Sequence, residues 1–306
     1  MKNQRPLGLS RSILLVATLA ITGACSKKPT SAQPASALSA AVAGKVGNLA
    51  PERDSLPAGI DLGKLDEHQR KVFDQAVNRE PSACGKGHSL LYSVNNDHAC
   101  RASFYAVRYV ARLVDSGLSE SEIVDKVEQR FRAPRVPNID VSQAPSKGAA
   151  SGRVTLVEFA DYECAHCKEA QGVMHTLLAD YPNDLTLYFK HFPLGGHVGA
   201  LNGAMGAVAA QKQGKFWQFS DKVWENSDHL TPAVLESIAK EIGLDFSRWY
   251  GDVGSEANRA HVQRDKTEAR SLEIQRTPAI FINGRRYTDE LDLPGLKDWI
   301  DEELGR

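Results

Sequence analysis

The chain has 306 residues, a formal net charge of −1, 42% hydrophobic residues and 25% charged residues. This is an ordinary soluble composition, long enough for two modest domains with their own cores. The near-neutral charge gives no electrostatic reason to expect a nucleic-acid partner.

The first segment is expected to be removed or anchored rather than folded. Lys2, Arg5 and Arg11 form a positive region. Residues 13–21 are an apolar run too short to span a bilayer as a helix. The run leads to "TGAC", which resembles the lipobox of a bacterial lipoprotein signal, although Thr22 stands where that pattern usually has Leu. The resemblance implies a signal peptide over 1–25 and a lipidated Cys25. The other reading is ordinary secretion, with Cys25 at the end of the apolar region. Either way the chain leaves the cytoplasm and disulfides become permissible. Ser26 is not the Asp of a retention signal, which points to the outer membrane in an organism that has one, with inner versus outer membrane left open. Residues 26–60 are rich in Ala, Ser, Pro and Gly without apolar periodicity, the composition of a flexible tether with a span of roughly 30 Å.

Residues 61–135 read as a small helical module. "LDEHQRKVFDQAVNRE" predicts one helix. In "RASFYAVRYVARLVDSG", Val107, Val110, Ala111 and Val114 follow the i, i+3, i+4, i+7 pattern, and Gly117 stops the run. Ser119 and Glu122 form a capping box for a further helix with Ile123, Val124, Val127 and Phe131 on one face. Residues 136–152 are polar and read as a linker, with "VSQAPSKGAASG" either linker or loop.

From residue 153 to the end the pattern is α/β. "RVTLVEFA" predicts a buried strand, followed by a helix from Cys164 to Asp180, which Pro182 closes. "LTLYFKHFP" predicts a second strand. Helical patterns fill residues 200–272, with Thr231-Pro232 as N-cap and first-turn residue. "AIFING" and "RRYTD" predict a hairpin through Asn283-Gly284, and a last helix carries Leu296, Trp299, Ile300 and Leu304. The order is β-α-β, a helical insertion, then β-β-α.

Cys164 and Cys167 form a C-x-x-C pair where a strand gives way to a helix. The unpaired amides and dipole of a helix start stabilise a thiolate on the first cysteine, and the second lies deeper within disulfide range. Cys164 is therefore the exposed nucleophile and Cys167 the resolving thiol. Moving a thiol pKa from about 8.5 to about 4 takes roughly 6 kcal/mol, whereas the dipole supplies about 0.3–2 kcal/mol. Two or three charge-assisted hydrogen bonds of about 1.5–3 kcal/mol each supply the rest, with the His166 side chain the expected donor or cation. The rival readings are a static disulfide and a zinc site. No second C-x-x-C or His pair follows at ligand spacing in this domain, so no metal is expected here.

Three stretches in order, "VEFADYECAHC", "GKFWQFSDKVW" and "RTPAIFINGRRY", resemble the DsbA-like thiol:disulfide oxidoreductases of the thioredoxin fold. The resemblance covers residues 153–306, about half of the chain. It implies a thioredoxin core with a helical insertion, no cofactor, and a thiol–disulfide activity outside the cytoplasm. Glu158 matches a buried acid that takes the proton of the resolving thiol, and an inward carboxylate in a core strand is costly unless used. The other reading has that carboxylate reaching solvent. Thr277-Pro278 matches the cis-proline turn facing the cysteines, where a missing N–H leaves neighbouring backbone free for an extended peptide substrate. Ala165-His166 departs from the Pro-His of the strongest oxidants of the family, which leaves the potential open.

Cys84 and Cys100 have three readings. A structural disulfide would close a loop of about 15 residues and contribute about 3 kcal/mol. His88 and His98 inside the loop allow a zinc reading. A second redox pair exchanging with Cys164 and Cys167 is the third. Trp217, Trp224, Trp249 and Trp299 read as core or groove lining, and His197 as a helix-start histidine without a catalytic role, or as groove lining.

Taken together, the sequence predicts an exported, membrane-anchored disulfide-forming enzyme acting on exported proteins with free thiols. The resemblance implies a quinone-linked membrane thiol oxidase as its electron acceptor. The rivals are a reductase or isomerase using the same site, with residues 61–135 as a dimerisation module, and an anchored assembly factor with static thiols.

Overall fold

The computed structural model describes residues 56–136 and 138–305. The expected signal peptide, Cys25 and residues 26–55 of the expected tether lie outside the described residues. Among the described residues, no helix is long and apolar enough to cross a membrane.

The helical part comprises α1 (Glu67–Arg79), α2 (Leu90–Asn96), α3 (Arg101–Asp115) and α4 (Glu120–Phe131). Its boundaries follow from side-chain chemistry. The Asp66 carboxylate accepts from the Gln69 amide at 2.8 Å, and the Gln69 side chain accepts from the Asp66 amide at 2.9 Å. Ser119 and Glu122 form the same reciprocal cap on α4. Gly117, at φ +80°, takes the left-handed turn after α3 that a side chain would resist. Phe73, Val77, Leu90, Val107, Val110, Val114, Ile123 and Val127 meet in one core. Leu56 and Ile60 pack against it, so the last residues of the expected tether belong to this body instead.

Arg130 is a residue that periodicity does not mark. Its side chain is fully buried, with the guanidinium over the rings of Tyr109 at 4.6 Å, Trp299 at 4.8 Å and Phe131 at 4.9 Å. It pairs with Glu302 at 3.2 Å and Asp289 at 3.5 Å. Arg108 with Asp298 at 2.8 Å adds to the seam. The helical part is thus docked on the C-terminal helix α11 (Leu293–Leu304) through paired, stacked arginines.

The sheet has five strands, β1 (Ser146–Gly148), β2 (Val154–Ala160), β3 (Leu185–His191), β4 (Ala279–Ile282) and β5 (Arg285–Arg286), in the order β1-β3-β2-β4-β5. β2 and β3 run parallel, joined by α5 (Ala165–Asp180). β4 lies antiparallel to β2, and β5 antiparallel to β4. Asn283 (φ 46°) and Gly284 (φ 77°) make the expected hairpin turn. Between β3 and β4 come α6 (Ala200–Gln211), α7 (Phe216–Glu225), α8 (Pro232–Glu241), α9 (Phe246–Val253) and α10 (Glu256–Ser271). Trp224 and Trp249 fill the core beneath this insertion, and Trp299 fills the core under α11. Trp217 is half-buried and donates to the Ser146 carbonyl at 2.8 Å.

The segment 136–152 corrects the sequence reading. It is not a free linker. β1 (Ser146–Gly148) pairs antiparallel with β3, with Ser146 opposite Tyr188 and Gly148 opposite Thr186. Val136, Ile139 and Val141 pack against Val157, Phe159 and Phe281. A three-residue edge strand of Ser, Lys and Gly has neither alternation nor β-branched residues to reveal it.

Candidate active site

Cys164 is the N-cap of α5, placed there by the turn that follows β2. Its amide donates to the Asp161 carbonyl at 3.0 Å. Cys167, one turn further, is fully buried, and both cysteines are free thiols in this structure. From across the site comes the loop before β4: the Thr277 carbonyl lies 3.3 Å from Cys164 Sγ, and the Thr277–Pro278 bond is cis.

The two thiols differ sharply in acidity. The Cys164 thiol is brought down to about 5, first by a hydrogen bond from the Cys167 thiol. Burial opposes this. The Thr277 side chain and the backbone N–H groups of Cys167 and His166 lower it further. Burial pushes the Cys167 thiol up, and donating to Cys164 and the charge of Glu158 push it the same way. One sulfur is therefore a thiolate at neutral pH and the other holds its proton.

Glu158 lies in β2 with no exposed surface. Burial pushes its carboxyl up to about 7, against the hydrogen bond from Gln171, while the Cys164 thiolate adds to the rise. Gln171 Nε2 donates to Glu158 Oε1 at 3.2 Å and to the Cys167 carbonyl at 3.1 Å, linking acid and resolving cysteine. Glu158 Oε2 has no hydrogen-bond partner among the described residues. Gln171 was missed in the sequence. Its only signal is its place one turn after Cys167 on the same helix face.

His166 corrects an expectation. Its imidazole is 80% exposed and turns to Glu169, with Nδ1 3.3 Å from Oε2. The ring's hydrogen-bond partner is Glu169, and it is the His166 backbone N–H that lowers the Cys164 thiol. At the first turn of a helix the amides point at the N-cap while side chains splay outward. His166→Ala should therefore leave the Cys164 titration near pH 5. Thiolate absorbance against pH checks this, and a midpoint moved toward the ordinary thiol value would restore the imidazole to the site.

The turn is braced from below. The buried Asp161 carboxylate accepts from the amides of Glu163 at 2.8 Å and Leu194 at 2.6 Å, and sits 2.8 Å from His197 Nδ1. His197 thus ties the turn that carries Cys164 to the loop after β3. Glu163 accepts from the amides of Gly199 and Ala200 at the start of α6. Gly199 allows this approach, since a Cβ there would meet the Leu230 carbonyl oxygen at 2.4 Å. In the helical part, Cys84 and Cys100 are joined in a disulfide, which takes both sulfurs out of the zinc reading.

Comparisons with known proteins agree with this geometry. The chain is similar to a thioredoxin-like oxidoreductase from Silicibacter pomeroyi DSS-3, with 27% identity, a TM-score of 0.50, and coverage of 58% of this chain and 98% of that one. It shares the fold of BdbD from Bacillus subtilis in its oxidised form, with 24% identity, a TM-score of 0.51, and coverage of 55% and 96%. It is also 31% identical over 159 residues to the Na(+)/H(+) antiporter NhaA 3 of Salinispora tropica, and 34% identical over 156 residues to NhaA of Herminiimonas arsenicoxydans. These matches take in about half of this chain but only 24% and 25% of those relatives, so the chain spans about a quarter of the length of the curated relatives it matches. The parallel β-α-β unit, the C-x-x-C pair at its helix start and the opposing Thr277–Pro278 loop form an arrangement able to carry thiol–disulfide exchange. The family model described as Thioredoxin matches residues 141–302, more than half of the 306 residues, and the chain belongs to that family.

Proposed function

We propose that the protein is an exported enzyme that forms disulfides in other exported proteins. The observation that carries this reading is the contrast between a thiolate-forming Cys164 and a proton-holding Cys167 beside a buried acid. In the oxidised form a substrate thiolate attacks Cys164 Sγ, and the Cys164–Cys167 bond breaks. Cys167 departs and takes a proton, for which neutral Glu158 is the nearby source. A mixed disulfide now joins substrate and Cys164. A second substrate thiolate attacks the substrate sulfur of that bond and expels Cys164, a good leaving group because its thiol is acidic. The products are a substrate disulfide and a reduced Cys164/Cys167 pair. An extended substrate would lie along Thr277 and Pro278, beside the Thr277 carbonyl that already contacts the attacked sulfur.

The positive segment and short apolar run at the start of the sequence support export, with Cys25 as lipid anchor. Reoxidation then falls to a membrane quinone-linked thiol oxidase. The test is to mix the oxidised protein with a reduced unfolded polypeptide carrying two thiols. Stoichiometric appearance of the polypeptide disulfide with loss of the Cys164–Cys167 bond is expected. If the polypeptide stays reduced while the protein stays oxidised, the reading fails.

A further inference from the structure

The disulfide of the helical part is lopsided. Cys84 is exposed, more open to solvent than the half-buried Cys164, whereas Cys100 is 3% exposed. Cys84 sits in a turn with Gly85 and Gly87, where an added Cβ would meet nothing within 4 Å, and Lys86 of the same turn pairs with Asp97 at 2.6 Å. Cys100 is the N-cap of α3, as Cys164 is the N-cap of α5.

The surroundings of the Cys100 sulfur are unlike those of an inert staple. Ser103 Oγ lies 3.1 Å from it and Ser82 Oγ 3.7 Å. Ser93 Oγ joins the two, 3.0 Å from Ser82 Oγ and accepting from the Ser103 hydroxyl at 2.8 Å. All three serines are buried in a core otherwise made of side chains such as Leu90, Val94 and Val107. Buried hydroxyls are costly for packing alone, and a disulfide sulfur is a weak acceptor. A thiolate is a strong one, and three linked hydroxyls at a helix start are suited to it. Arg101, exposed in the first turn of α3, adds a positive charge that attracts incoming thiolates.

We propose that Cys84–Cys100 is a second redox centre, reducible in the folded protein by small thiols of the glutathione class, with Cys84 the sulfur attacked and Cys100 the sulfur released. A glutathione thiolate attacks Cys84 Sγ; the Cys84–Cys100 bond breaks, and its electron pair leaves on Cys100 as a thiolate, toward which the Ser103 hydroxyl turns from Ser93, with Ser82 further off. A second glutathione thiolate attacks the glutathione sulfur of the mixed disulfide and releases Cys84. The sum oxidises two glutathione molecules to their disulfide and reduces both cysteines. Nothing in this depends on the direction of chemistry at Cys164.

The test uses the full chain with Cys164→Ser and Cys167→Ser, in glutathione buffer without denaturant, with acid quench, alkylation and peptide masses. Circular dichroism confirms that each variant stays folded. Reversible opening with the adduct on Cys84 is expected. Ser103→Ala should slow opening about tenfold, because the departing thiolate loses a hydrogen bond. Ser82→Ala, further from the sulfur, should act in the same direction and less. A purely structural serine moves the rate the other way, since loosening the helical part exposes the bond. No opening in the folded chain, an adduct on Cys100, or an unchanged or faster rate in Ser103→Ala would overturn the proposal.

Discussion

A Cys167→Ala chain should accumulate a mixed disulfide with a disulfide-bearing peptide, and turnover should fall roughly a thousandfold or more, as when one member of a catalytic unit is removed. The Cys164 thiol is acidic for reasons that survive in part without Cys167, namely the Thr277 side chain and the helix-start amides. It still attacks disulfides. Without Cys167 no neighbouring thiol can break the mixed disulfide, and it persists until an external thiol arrives. Cys164→Ser should form no adduct, because the only partly exposed sulfur of the pair is gone. Non-reducing mass analysis after incubation with a disulfide-bearing peptide reads both. An adduct of equal yield in the two variants would mean that Cys84 or another sulfur is the nucleophile.

Glu158→Gln should stabilise the reduced protein at high pH and not at low pH. Burial holds the folded carboxyl near 7, against 4.5 for the exposed group. Between those values the folded chain keeps a proton that the unfolded chain releases. Stability therefore falls as pH rises from about 4.5 to about 7 and stays lower above that. The gap from 4.5 to about 7 corresponds to about 3 kcal/mol. Glutamine keeps the shape and cannot ionise, so its advantage should grow from near zero at pH 4 to about 3 kcal/mol at pH 8. Urea midpoints at constant slope measure it. The same variant should exchange disulfides more slowly below pH 7, where the native acid still has a proton to give. A stability difference that does not vary with pH would show that the carboxyl is not held neutral by burial.

Much of this was legible because local chemistry and fold agree. A β-branched run, two cysteines one turn apart and a helical run after them specify strand, nucleophile and helix together. Asn283-Gly284 specifies a turn on its own. The capping boxes at Asp66 and Ser119 mark helix starts that the structure reproduces, although only the second was read from the sequence. What escaped was set by contacts remote in sequence. Arg130 reads as a solvated charge until Tyr109, Trp299 and Glu302 close around it. β1 is a strand only because β3 offers it an edge. His166 has the residue type for thiolate stabilisation, but backbone direction at a helix start turns its ring to solvent. Gln171 is an ordinary helix residue until Glu158 is found beneath it.

Those contacts define an acidic Cys164, and an acidic thiol in the reduced form makes the disulfide oxidising. The most direct test is the reduction potential of Cys164–Cys167 in the intact chain, by equilibration with glutathione and site-resolved alkylation, which keeps Cys84 and Cys100 separate. Strong oxidants and reductants of this fold differ by about 150 mV, or roughly 7 kcal/mol. A value above about −180 mV is the result predicted here and marks a donor of disulfides. A value near −250 mV or below would mark a protein that removes them, and would contradict the account.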